Sequence, residues 1–160
     1  MAAIEAKLAQ LGLVLPDSMR VPQGVVIPFS WVRVHGDRAF VSGHIAINQD
    51  GSLATPFGKV GEEVSLEQAY NSAKLTALAM LTSLKRALDD LDRVTAWLRV
   101  FGMVNTAPNF NQTPAVINGF SDLILQLYGP DRGAHARSAV GMAMLPFGTP
   151  VEIEAEVAID

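Results

Sequence analysis

The residues able to do chemistry are few, and most sit in the last quarter of the chain. Arg137 stands at the entrance of an apolar run, Ser138-Ala-Val-Gly-Met-Ala-Met-Leu145. After the turn Pro146-Phe-Gly-Thr-Pro150, the stretch Val151-Glu-Ile-Glu-Ala-Glu-Val-Ala-Ile159 alternates apolar residues with Glu152, Glu154 and Glu156. A guanidinium is a planar fork that matches a carboxylate through two parallel hydrogen bonds, so Arg137 suits a small anionic ligand; a strand-end surface arginine explains it equally well. On pattern alone the glutamates read as a solvated strand face before a catalytic one. Further up the chain are Ser42-Gly43-His44, Asn118, and the aromatics Phe29, Trp31 and Phe110. Asparagine is a poor helix former, so Asn118, in a helical stretch, either faces water or caps something.

Other chemistries lack their residues. Cysteine is absent, which removes disulfides, thiolate nucleophiles and cysteine metal sites together. His35, His44 and His135 have none of the spacings of a metal site, so no metal is expected. There is no Gly-x-Ser-x-Gly elbow, no glycine-rich phosphate loop and no dinucleotide fingerprint, and no cofactor is expected. A net charge of -4, with scattered lysines and arginines, leaves no basic footprint for a phosphate backbone and disfavours a nucleic-acid partner. No apolar run reaches membrane-spanning length and the N-terminus has no secretory pattern, so the expected address is the cytoplasm.

The elements that must position these residues follow from periodicity. Length predicts one domain over 1–160, with 1–21 an N-terminal helix and connection. Ile4, Leu8 and Leu11 have helical spacing that Gly12 ends. Trp31–Val34, the turn His35-Gly-Asp37 and Ala39–Val41 read as a hairpin continuing through Ser42-Gly43-His44 to Ile47. Ser65-Leu-Glu-Gln68 is a capping box opening a helix over about 65 to 90, with Leu66, Ala69, Ala73, Ala77, Met80, Leu81, Leu84 and Leu88 on one face. Val94–Val104 is apolar at nearly every position, which predicts a strand buried on both faces. Thr113-Pro114 supplies an N-cap and a first-turn proline for a second helix that ends before Gly129-Pro130. The order ββαβ then αββ predicts an α+β fold, a mainly antiparallel sheet with two long helices on one face. A chain 49% hydrophobic and only 18% charged, with strands lacking a clean polar side, predicts that the other face is covered by further copies.

Together Ser42-Gly43-His44-Ile45, Asn118, Ala136-Arg137-Ser138-Ala139-Val140, Leu145-Pro146 and Val151-Glu152-Ile-Glu154-Ala resemble the reactive-intermediate deaminase family, also called RidA/YjgF or endoribonuclease L-PSP. The resemblance covers about residues 22 to 160; the N-terminal helix and the loop near 52 to 63 resemble a longer subgroup. It implies a chorismate-mutase-like fold, a homotrimer, and clefts between subunits where enamine or imine intermediates are hydrolysed to 2-oxo acids and ammonia. By that similarity Arg137 holds a small-molecule carboxylate, and Glu152 orients or activates the attacking water. Backbone amides near Ala139 and Gly43 face the reacting end, and Asn118 lies on the cleft wall. Three positions depart from the family pattern: Phe29 replaces a pocket tyrosine, Ala139 a common cysteine, and His44 a frequent glutamine, which adds a titratable group. Non-catalytic binding of a small carboxylate or 2-oxo acid is the alternative; a ribonuclease, the older family name, fits the acidic balance least.

If the last two strands form a regular hairpin in which Leu145 opposes Val151, then Arg137 opposes Ile159 and Glu152 opposes Met144. The two residues then lie about seven positions apart, roughly 23 Å, on opposite faces. Such a hairpin cannot unite them, so either a bulge intervenes or they meet between subunits.

Overall fold

Five strands and two long helices carry the residues of interest, in a computed structural model that describes residues 3–160. In chain order the elements are α1 (Ala3–Gln10), β1 (Val32–His35), β2 (Arg38–His44), α2 (Leu66–Leu88), β3 (Val94–Asn105), α3 (Thr113–Arg132), β4 (Ala136–Met142) and β5 (Val151–Ile159). The sheet order is β1-β2-β5-β3-β4. Among these described strands only the β3–β4 pair is parallel. The mainly antiparallel α+β architecture is the expected one.

Capping and glycine packing explain the helices. Ser65 Oγ accepts from the Gln68 amide at 3.1 Å while Gln68 Oε1 accepts from the Ser65 amide at 2.9 Å, so α2 opens on the capping box. Its apolar stripe, Ala69, Ala73, Ala77, Met80, Leu81, Leu84 and Leu88, is buried. Helices α2 and α3 meet at Gly119, where an added Cβ would lie 2.0 Å from the Tyr70 carbonyl oxygen. Beneath α3, Gly102 of β3 leaves room for Ile117, whose side chain lies 2.6 Å from where a Cβ would be.

The last two strands do not form a hairpin. Strand β4 pairs in parallel with β3, Arg137 beside Val100. Strand β5 inserts between β2 and β3, with Glu152 beside Met103. The Pro146–Gly148 turn is therefore a crossing over β3, and the hairpin register expected for Arg137 and Glu152 does not occur. Apolar runs on both sides of a proline-glycine turn look like a hairpin whether or not a third strand separates them.

Smaller differences have equally local causes. Thr113 does not cap α3; it is the helix's first residue, and its Oγ1 donates to the Ala139 carbonyl at 2.9 Å. Gly129 breaks α3 as expected, with φ of 79°, but a further helical turn follows to Arg132. Strand β3 is fully buried on its helix face, through Val94, Trp97, Val100 and Val104, whereas Phe101 and Met103 are half-buried on the other. Two-sided burial of β3 is thus not achieved within one chain. Strand β2 stops at His44 after a register shift between Val41 and His44, and Ile47 makes only an isolated bridge to Leu53. No helix among the described residues is long and apolar enough to cross a membrane.

Candidate functional site

The candidate residues fall into two groups on opposite faces of the sheet. Strand alternation places Arg137 and Ala139 toward the helices, with Ala139 packed against the core. Arg137 Nη1 donates to Asn118 Oδ1 at 2.9 Å and to Ser121 Oγ at 3.0 Å, and Nη2 donates to the Pro114 carbonyl at 3.4 Å. Asn118 and Ser121 are one turn apart on α3, so they face the strand together. The mid-helix asparagine is thus a partner of the arginine. Ser121 also joins His135, whose Nε2 lies 2.9 Å from its Oγ and whose Nδ1 lies 2.7 Å from the Gly133 carbonyl. Nδ1 carries the proton in that geometry, and the ring accepts from Ser121. Burial, with repulsion from Arg137, holds His135 below the usual imidazole range. These residues line an open cavity of about 380 Å³. Every acceptor on the Arg137 guanidinium is neutral, and it makes no ion pair among the described residues.

The second group surrounds Glu152. Gly43 lies so close that an added Cβ would stand 2.3 Å from Glu152 Oε1, so only glycine admits the carboxylate in this position. Burial, and then the neighbouring Glu154, push the Glu152 carboxyl above the usual carboxylate range. Glu152 and Gly43 line a cavity of about 230 Å³ whose remaining wall is mainly apolar, from the segment before β1 and from Phe147. Phe29, 54% exposed, packs edge-on against Trp31 at 5.2 Å.

His44 is set behind this cavity. It is 6% exposed, its ring lies 5.2 Å from Trp31, Nδ1 donates to the Ser42 carbonyl at 2.7 Å, and Nε2 accepts from Ser83 Oγ at 2.7 Å. Desolvation by burial lowers its pKa. With both nitrogens engaged in the chain, His44 supports Trp31 and the Ser42 carbonyl and does not line the Glu152 cavity.

Of the residues singled out in the sequence, Arg137 and Asn118 are thus brought together, with Ala139 next to them along β4. Phe29, Gly43 and Glu152 form a second assembly. The two cavities share no lining residue. Sequence reasoning missed Ser121, whose three-residue spacing from Asn118 was the available signal. It also missed the wall residues Val21, Val25 and Ile27, which lie in an aperiodic proline-containing stretch. Glu5, Asp90 and Asp92 form a third cluster, near α1. Lys85 pairs with Glu5 at 2.5 Å and Arg132 stands 4.0 Å from Asp92, so cations of the chain answer these carboxylates.

The sheet thus carries on one face an arginine in no ion pair among the described residues, and on the other a carboxyl whose pKa is raised. Residues 5–152 match the family model described as "YjgF/chorismate_mutase-like, putative endoribonuclease". Protein TCP17 of Trypanosoma cruzi is 36% identical over 157 residues, covering 98% of this chain and 94% of that protein. The crystal structure of Atu1372, a protein of unknown function from Agrobacterium tumefaciens, is 36% identical, covers 99% of this chain and 92% of its own, and superposes with a TM-score of 0.87. RidA from an Antarctic Psychrobacter, 18% identical, shares the fold with a TM-score of 0.58 over 89% of this chain and 99% of its own. The chain belongs to the RidA/YjgF family.

Proposed function

We propose that this chain hydrolyses small 2-imino acids and their enamine tautomers to 2-oxo acids and ammonia, in a cleft of a homotrimer where Arg137 of one subunit faces Glu152 of the next. The observation that carries the reading is the Arg137 guanidinium, aligned by three neutral acceptors and in no ion pair among the described residues. Such a group is prepared for an external carboxylate and keeps its full charge for it.

The chemistry requires little beyond position. An imine carbon is already electrophilic, so fixing the carboxylate and placing one water beside a base lowers most of the barrier. Glu152 takes a proton from water as the water oxygen bonds to C2, and the C=N π pair moves to nitrogen. The nitrogen then collects protons, the C–N bond breaks as ammonia leaves, and the hydroxyl proton is lost as C=O forms. Water is consumed and no redox partner is needed. A carboxyl with a raised pKa retains and returns that proton more readily near neutrality than an ordinary glutamate.

Imines generated in situ by an amino-acid oxidase test this reading through ammonia release. Wild-type protein accelerates release and Arg137→Ala lowers kcat/KM by about 100-fold; a variant as fast as wild type overturns the assignment. Phe29, which offers no hydroxyl to a bound ligand, favours the second reading, a protein that binds small carboxylates without turnover. Thermal stabilisation by 2-oxo acids with no catalysis over a panel of imines selects it.

A further inference from the structure

The cavity around Glu152 is one-sided in a way the imine reading leaves unused. Its polar end is Glu152 and the Gly43 backbone, while the rest is formed by Val21, Val25, Ile27, Phe29, Trp31 and Phe147 with their neighbours. Several of these are open to solvent, Val25 at 55% and Phe147 at 60%. The wall is nevertheless held in place. Trp31 packs between Phe29 and the buried His44, and its carbonyl accepts from the Ser42 amide at 3.0 Å. The preceding strap is tied down by the Asp17 amide to the Gln49 carbonyl at 2.8 Å and by Thr82 Oγ1 to the Pro16 carbonyl at 2.9 Å.

We propose that the substrates are 2-imino acids with branched aliphatic or aromatic side chains, which seat against this wall, and that imines bearing a second carboxylate are excluded. The proposal rests on the imine-hydrolysis reading of the same site. With the substrate carboxylate on Arg137 and C2 beside Glu152, the side chain is the part left to meet the wall, whose volume of about 230 Å³ is ample for an isobutyl or benzyl group. Each methylene removed from water strengthens binding by about fourfold. A side-chain carboxylate gains no partner here and meets Glu152, so it enters at a desolvation cost and against like charge.

Competing imines, made in situ from leucine, phenylalanine, alanine and glutamate, decide the matter. The expected kcat/KM for leucine- and phenylalanine-derived imines exceeds that for the alanine-derived imine at least tenfold, and that for the glutamate-derived imine by more. Val25→Asp and Phe147→Asp, at exposed positions, each reduce the leucine-to-alanine ratio at least fivefold. Equal rates across the panel, or a preference for alanine or glutamate, overturn the proposal while leaving imine hydrolysis standing. If no imine is turned over, quenching of tryptophan fluorescence by the matching 2-oxo acids gives the answer. Tighter binding of 4-methyl-2-oxopentanoate than of pyruvate or 2-oxoglutarate supports the wall as a side-chain site even though the reaction reading fails; equal binding, or none, overturns it. Sedimentation covers the remaining occupant: if the two aspartate variants change subunit assembly instead of the substrate ratio, the wall belongs to a second copy of the chain and the proposal is wrong.

Discussion

Arg137 and Glu152 lie on the two strands that flank β3, beside Val100 and Met103 respectively, and their side chains leave opposite faces of the sheet. The offset is three residues along β3 and two strand spacings across it, about 10 Å in each direction. Moving either side chain to the other would require passing through the sheet. A site using both residues therefore takes them from different copies of the chain.

Mixing experiments follow from that division. Arg137→Ala and Glu152→Gln are each expected to be nearly inactive alone. If the chain assembles as the homotrimer proposed above, refolding the two variants together gives mixed trimers in which about a quarter of the clefts carry both native residues, so activity returns to about a quarter of the wild-type rate. Ammonia release before and after mixing measures it; no recovery in properly assembled mixed oligomers places the two residues in separate functions.

The raised pKa of Glu152 sets a pH dependence. A base must be unprotonated, so kcat/KM rises with pH along a limb that lies above the usual carboxylate range. Glu154→Gln, by removing the neighbouring charge, moves that limb to lower pH. The stability effect has the opposite sense. A group whose folded pKa is raised stabilises the fold below its unfolded pKa and loses that contribution as pH rises through the folded value. Glu152→Gln therefore raises the melting temperature near pH 8 and changes little near pH 4, as a thermal melt at the two pH values reads.

Gly43→Ala separates function from folding. The atoms nearest the new Cβ belong to the far end of the Glu152 side chain, so the stability cost stays under about 1 kcal/mol while the carboxylate is displaced. A shift of this size in the reacting group lowers kcat/KM by about 100-fold. Denaturant titration and ammonia release on the same sample check both halves.

Gly119→Ala gives the converse result. Its Cβ would stand 2.0 Å from the Tyr70 carbonyl oxygen, part of a helix backbone that cannot step aside. The expected loss is about 3 kcal/mol as α2 and α3 are pushed apart, read from the denaturant midpoint.

Local signals carried most of the fold. The capping box, the apolar stripe of α2 and the Gly36-Asp37 turn each depend on residues within a few positions of one another, and all appear where periodicity puts them. The insertion of β5 between β2 and β3 does not, because strand neighbours far apart in sequence are chosen by packing of the whole sheet. The site divided in the same way. Residue type marked Arg137, Asn118 and Glu152, but the Asn118–Arg137 bond, the His135–Ser121 support behind it, and the burial of His44 all depend on which face of which element meets which neighbour. The wall residues were illegible because a segment with neither helical nor strand period gives no indication of what it covers.

That segment, from Leu11 to Trp31, contains no helix or strand; Leu13 and Leu15 pack against the core, and a handful of hydrogen bonds tie the rest over the body. Val25 and Phe29 are outside the buried core that folding requires. Substitutions at Val25 and Phe29 cost little stability, whereas Gly102 and Gly119 are held by close contacts with Ile117 and the Tyr70 backbone. In the proposed reaction that wall meets the substrate side chain, so point mutations can exchange one wall for another while the scaffold stays intact, and substrate range becomes the trait freest to diverge.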